Sequence, residues 1–299
     1  MTIKKLVITK GTYLDRELRL LVSFDENDNV LDVFNIDLTK VGIKCKATVE
    51  KVLKDIDACI LKLSTGDKGF IENKKLKPEA FLLRHSEKKL VCQGDEFYVQ
   101  ISQDRTNSKP YSCNFLGETL EDENNDFIHY FVDKYCEKNI EIVSDLDEII
   151  NSDLLVRAYH DDSVSLWQLY NLTKILDVTI SMISHLPKGG NLFIEPTEAL
   201  TVIDVNSGKN YGKTSLMDTN RIAAKEIARQ LRLKKLSGII IVDFLKVSKA
   251  EEKELCDILK EACKDDYAIV TIHGFTNLGL MEITRSRSFS KCLFEVNAD

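Results

Sequence analysis

The run Ser237-Gly238-Ile239-Ile240-Ile241-Val242-Asp243-Phe244 constrains the fold more than any other stretch of this chain. Four consecutive β-branched residues favour an extended strand over a helix. Their lack of polar alternation predicts a strand buried on both faces. Just before it, residues 216–233 carry apolar side chains at helical spacing, with Thr214 or Ser215 placed to cap the helix start. A second helix is expected near 249–264, and the segment YAIVTIHGF reads as a further strand. Strands alternating with helices in this order describe an α/β unit.

Two apolar strands in this half end in aspartate. NLFIE and ALTVIDV read as a strand pair, and ALTVIDVN places Asp204 where the second strand exits into a polar loop. GIIIVDF ends the same way at Asp243. Strand ends of an open α/β sheet face a common crevice, where ligands usually bind. Two carboxylates there can hold a hard divalent cation such as Mg²⁺, which prefers oxygen ligands. That chemistry would activate water and offset the charge that develops on a phosphodiester. Either aspartate alone reads as the cap of a turn or helix. Asn206 lies two residues after Asp204, hence on the same side of the strand, and its amide could orient a water or a phosphate oxygen. Asp204, Asn206 and Asp243 are therefore the candidate catalytic residues, with Asp204 and Asp243 as the metal ligands.

The remainder divides by pattern. Residues 3–36 alternate as two or three antiparallel strands. Five short period-2 strands follow between Lys44 and Leu116, which suggests a small closed β-barrel. Barrels of this kind bind single strands with aromatic platforms and basic grooves, and Phe70, Lys68 and Lys109 are the candidates here. From Leu120 to about Val156 the chain turns acidic and helical, with FIHYFVDKYCEKN as one helix and SDLDEII as a second. The loop Ser207–Thr214 ends in GKT, as a P-loop does, but the position that must be the first glycine is Ser207. Lys209 could still approach a phosphate backbone from that loop.

Net charge is −7, which at first argues against nucleic acid. Residues 117–155, however, hold 12 acids against Lys134 and Lys138, so the rest of the chain carries +3. Within 209–235, eight basic residues face only Asp218 and Glu226. Local fields decide where a polyanion docks, and Arg229 and Arg232 on this helix, with Arg285 and Arg287 further on, are candidate RNA contacts. The eight cysteines contain no CxxC pair and read as reduced core residues. His273 has the most suggestive neighbours of the five histidines, yet a lone histidine at a strand end is usually structural. At 43% hydrophobic the chain is globular, not disordered. It has no apolar run near the roughly 20 residues that span a bilayer and no secretion signal. A cytoplasmic location, without membrane contact, is the expectation.

EPTEALTVIDVNSGKN, DTNRIAAKEIARQLRLKKLSGIIIVDF and HGFTNLGLMEITRSR resemble three consecutive motifs of the ribonuclease E/G catalytic core, in the family's order and spacing. KCKATVEKVLKDIDACILKLSTGDKGFIE is similar to the S1-type barrel that the family inserts near its N-terminus. The resemblance implies a multidomain α+β and α/β protein. An RNase H-like part (1–36 and 117–180) would be split by an S1-type OB barrel (37–116) and followed by a DNase I-like catalytic part (181–299). It implies an endoribonuclease that hydrolyses single-stranded RNA to 5′-phosphate products, with Mg²⁺, or Mn²⁺ as a substitute. Asp204 and Asp243 match the magnesium-binding aspartates, Asn206 the asparagine that assists them, Phe70 a base-stacking aromatic and Lys109 a basic contact of the same surface.

Three departures stand out. Ile60 occupies the other aromatic position of the barrel surface. Only the acidic stretch around 117–125 fills the place of the family's 5′-monophosphate sensor, and Arg157 aligns elsewhere and does not replace it. No CPxC link follows SFSKCLFEVNAD, so neither zinc nor a zinc-tied dimer is expected. Two further possibilities stay open: an RNA-binding protein of this ancestry with little or no nuclease activity, and a DNA nuclease or other phosphodiesterase on the same fold.

Overall fold

The computed structural model describes residues 2–87, 90–104, 109–120, 125–208 and 215–289. They fall into two compact units, described residues of 2–37 with those of 137–287, and described residues of 38–136 with 288–289. The chain opens with an antiparallel meander, β1 (Lys5–Tyr13), β2 (Arg16–Phe24) and β3 (Val30–Asn35). Polar turns with left-handed residues join them, Leu14 and Asp15 in the first and Asp28 in the second.

The second unit begins with the barrel: β4 (Lys44–Leu53), β5 (Ala58–Leu63), β6 (Lys68–Glu72), β7 (Glu96–Gln103) and β8 (Tyr111–Gly117). It closes in the order β4-β5-β6-β8-β7, as the alternating pattern predicts, with β6 and β8 parallel. Val49, Cys59, Leu61, Ile71, Phe97 and Val99 fill its interior. Helix α1 (Phe127–Tyr135) follows, its first turn capped by the Asp126 carboxylate, which accepts from the Ile128 and His129 amides.

The chain then returns to the first unit. β9 (Glu141–Ser144) and β10 (Val156–Ala158) join the opening meander as parallel strands, giving the order β10-β9-β1-β2-β3. The acidic segment is thus part strand, and the expected second helix shrinks to α2 (Asp147–Ile150). Two helices not anticipated from the sequence come next, α3 (Leu166–Leu169) and α4 (Leu172–Ile180). Trp167 of α3 lies over Gly11, where a Cβ would sit 2.3 Å from the indole.

A six-stranded sheet completes this unit. Its elements are β11 (Ile183–His185), β12 (Asn191–Pro196), β13 (Leu200–Asn206), α5 (Leu216–Leu233), β14 (Gly238–Asp243), α6 (Lys249–Ala262), β15 (Val270–Phe275) and β16 (Met281–Arg285). The strand order is β11-β12-β13-β14-β16-β15, and β13 and β14 run parallel. Ser215, not Thr214, caps α5, its hydroxyl accepting from the Asp218 amide. Ile203, Val205, Ile240, Val242 and Ile283 pack beneath α5 and α6 with Ile227, Leu231, Leu255 and Leu259.

One expectation for this sheet is overturned. β14 is buried on one face only: Ile240 and Val242 are sealed, while Ile239 is 50% exposed and Ile241 half-buried. Helices α5 and α6 both lie against the same face, so the opposite face of these central strands is open. Among the described residues no helix is long and apolar enough to cross a membrane.

Among the described residues Cys45, Cys59, Cys113 and Cys263 are buried as expected of core residues, whereas Cys92, Cys136 and Cys256 are only half-buried. Burial pushes the Cys59 thiol up to about 11 and the Cys113 and Cys263 thiols up to about 12. Because the thiolate is the reactive form, these three are expected to resist thiol reagents at pH 8 in the native protein and to react at once in denaturant. Rapid native labelling at any of the three, read by mass spectrometry, would contradict the packing described here.

Candidate active site

Parallel neighbours in register present their side chains on the same face. Asp204 of β13 pairs in register with Asp243 of β14. Residues 203 and 205, like 240 and 242, point into the helix-covered core. Positions 204, 206 and 243 must therefore point to the open face. Asp204 is half-buried and Asp243 exposed. The Asn206 side-chain amide donates to Asp204 Oδ2 at 2.6 Å, which leaves the asparagine carbonyl oxygen as its remaining acceptor. Ile183, Asn191, Phe193 and Leu245 join Asp204 and Asn206 around an open cleft of about 600 Å³.

Two local features hold this geometry. Asn220 of α5 is fully buried, donates to the Leu245 carbonyl (2.8 Å) and accepts from the Leu245 amide (3.1 Å). It thereby fixes the chain as it leaves Asp243. On the other side, Gly190 has φ +87 and lies so close to the end of β13 that a Cβ would meet the Asn206 carbonyl oxygen at 2.4 Å. Gly190→Ala is expected to destabilise the protein by roughly 1–3 kcal/mol, the order of an overpacked site, and to displace Asn206. Unfolding midpoints of the purified variant check this; an unchanged midpoint would contradict it.

The donor set is all oxygen: two carboxylates and an amide carbonyl. Among the described residues no group of three or more His, Cys, Asp or Glu could hold a metal ion. Two carboxylates with waters are nevertheless the usual protein share of a Mg²⁺ site, and the absence of sulfur and imidazole donors suits Mg²⁺ or Mn²⁺, not zinc. His273 is occupied elsewhere, its Nε2 2.9 Å from Thr284 Oγ1.

The basic residues proposed from charge counting fall into two groups. Arg229, Arg232 and Arg285 have their guanidinium groups engaged internally. Arg232 makes a two-point pair with Asp32 (2.8 and 2.7 Å), and both side chains are buried. Arg285 does the same with Asp266 (2.9 and 2.8 Å) and also donates to the Leu236 carbonyl. Arg229 pairs with Glu226 and donates to the Val30 carbonyl. Burial alone would raise the Glu226 carboxyl, but Arg229, Ser184 and Gln230 outweigh it and hold the group below its ordinary range. Lys235 donates to the Val33 carbonyl, and Lys234 to three carbonyls at the end of α4. The basic stripe of α5 thus fastens this helix to β3 and α4.

The remaining candidates stay on the surface. Arg287 is exposed just beyond β16, without sharing a side with Arg285, which points inward with Met281 and Ile283. On the barrel, Phe70 is half-buried on the outer surface, in register with Ile60 and Ser112. Lys68 is 67% exposed beside Glu50 (3.2 Å), and Lys109 is exposed ahead of β8. Lys209 lies outside the described residues. Sequence reasoning missed Asn191, Phe193 and Asn220. The alternation of NLFIE beside ALTVIDV carries the signal for the first two, since an even register brings Phe193 opposite Asp204.

The model of the ribonuclease E/G family matches residues 86–288, more than half of the chain and all of the cleft. The chain belongs to the ribonuclease E/G family. It is 28% identical to ribonuclease G of Haemophilus influenzae over 301 residues, covering 96% of this chain and 58% of that protein. It is 37% identical to the ribonuclease E/G-like chloroplastic protein of Arabidopsis thaliana over 135 residues, 43% of this chain and 14% of that protein. To ribonuclease E of a Nostoc species it is 38% identical over 138 residues, 44% of this chain and 20% of that one. The chain therefore spans 14% to 58% of the length of these curated relatives.

Proposed function

We propose that this protein is an endoribonuclease that hydrolyses single-stranded RNA, with Asp204 and Asp243 holding Mg²⁺ (or Mn²⁺) and Asn206 orienting the first of them. The observation that carries this reading is the in-register pair Asp204–Asp243 on the open face of the sheet, beside a cleft. A divalent cation held there would supply Lewis-acid polarisation of a phosphoryl oxygen and of the attacking water. The chain's own contribution is geometric. Asn206 fixes the Asp204 carboxylate, and Asn220 fixes the loop after Asp243. Attack on phosphorus by water with loss of the 3′-oxygen would leave a 5′-phosphate.

In this reading the five-stranded sheet is the RNase H-like part, the barrel an S1-type RNA-binding part using Phe70, Lys68 and Lys109, and the six-stranded sheet a DNase I-like catalytic part. Arg287 and Lys209 remain candidate phosphate contacts. Ile60 in place of an aromatic favours a weaker grip on bases, and with it the second reading of an RNA-binding protein with little nuclease activity.

One experiment separates the possibilities. End-labelled single-stranded RNA and DNA of the same sequence are incubated with the purified protein across a Mg²⁺ titration, with binding measured in parallel in EDTA. Saturable, Mg²⁺-dependent cutting of RNA is the expected result. Salt-sensitive RNA binding with no cutting in Mg²⁺ or Mn²⁺ selects the binding protein, and preferential cutting of DNA overturns both.

A further inference from the structure

Along β12 the neighbours Leu192 and Ile194 are sealed in the core, at 0% and 1% exposure, whereas Phe193 is 39% exposed. It stands in register with Asp204, as Asp204 does with Asp243. An aromatic ring and two carboxylates therefore form one row across three adjacent strands, with steps of about 5 Å. The next row is polar, Asn191 in register with Asn206. All of these groups except Asp243 line the same open cleft. A ring left in water forgoes the gain of burial, and the flat face of a nucleobase is a surface that recovers it.

We propose that Phe193 is a base platform, stacking the nucleobase that flanks the phosphate addressed by Asp204 and Asp243. This rests on the ribonuclease reading above and deepens it. The platform sets where along the strand the cut falls, because a stacked base fixes the register of its neighbouring phosphate. It also rejects duplexes, since a paired base cannot leave its stack to lie on the ring. Stacking is tolerant of base identity, so the asparagine row would supply whatever sequence preference there is.

The test uses the full chain and a labelled single-stranded RNA in which an abasic ribose is moved one position at a time. Affinity is measured in EDTA, and KM and kcat in Mg²⁺, for wild type, Phe193→Ala, Phe193→Leu and Phe193→Tyr. Phe193→Ala is expected to weaken binding and raise KM roughly 10-fold, the order for one stacked base. Phe193→Tyr restores both, and Phe193→Leu, apolar but without a π-face, does not. At one abasic position wild type loses the same factor while Phe193→Ala loses nothing further. A Phe193→Ala penalty unchanged by every abasic substitution, wild-type behaviour of Phe193→Leu, or no RNA binding at all overturns the platform. So does a change of sedimentation coefficient in Phe193→Ala, which would make the ring a contact between copies. Platform behaviour in the binding arm without cleavage would sink the nuclease reading alone, and cleavage without the abasic coupling would sink the platform alone.

Discussion

Asp243→Asn is expected to reduce Mg²⁺-dependent RNA cleavage by at least about 100-fold, beyond the 10- to 100-fold that follows loss of an outer partner of a metal ligand. The substitution keeps the side-chain volume and removes one of the two charges that a hard cation requires. Asp204→Asn is expected to match it, since the two side chains stand in register on the same face. RNA affinity in EDTA should stay within about 2-fold of wild type, because neither carboxylate attracts a polyanion. Asn206→Ala should fall between wild type and the aspartate variants, as it leaves both charges and loses the hydrogen bond at 2.6 Å together with the amide carbonyl. The measurement is initial rate against Mg²⁺ concentration. Equal rates for wild type and both aspartate variants would assign the activity to a contaminant and sink the proposed centre.

The largest expected effect on stability lies at Asp32 and Arg232. Each is buried, and each satisfies the other through two charge-assisted hydrogen bonds. Ser23 donates a further hydrogen bond to the Asp32 carboxylate, and the guanidinium groups of Arg232 (5.4 Å) and Arg285 (5.1 Å) both lie near the ring centre of Tyr267. Burial pushes the Tyr267 phenol well above its ordinary range, so it stays neutral beside them. Arg232→Ala leaves an uncompensated carboxylate in the interior, at an expected cost of about 3–5 kcal/mol. Asp32→Leu with Arg232→Met removes both charges together and should cost far less. Denaturant midpoints for Arg232→Ala, for Asp32→Leu alone and for the double variant measure the difference. Single losses below about 1 kcal/mol would show that water reaches the pair. RNA binding by correctly folded Arg232→Lys should equal wild type, in contrast to what a surface contact would give.

That same pair explains where sequence reasoning stopped. Local signals were legible: the alternation of the barrel strands, the cap at Ser215, and the strand pair that carries Asp204. Each depends on residues a few positions apart. The fate of the basic stripe on α5 depends on partners far away, Asp32 lying 200 residues from Arg232. Charge counting sees eight cations within 209–235 and cannot see that β3 and α4 engage several of them. Ile239 and Ile241 misled for a related reason, since a run of isoleucines specifies a strand but not how many of its faces are covered. β9 and β10 are too short, and β9 too acidic at its start, to stand out from a helical stretch. Phe193 was hidden because its role follows from register, not composition.

The parallel pairing of β1 with β9 sets Lys5 beside Glu141. The earlier strand must therefore wait for a neighbour that emerges more than a hundred residues after it. The barrel between them has its own closed hydrogen-bond circuit and its own core, so it can be finished while the opening meander still has a bare edge. At roughly 5–20 residues per second, that edge stays unpaired on the ribosome for about 7–27 s. Nascent-chain occupancy by a chaperone should thus peak after the barrel has emerged and fall once residue 144 clears the exit tunnel.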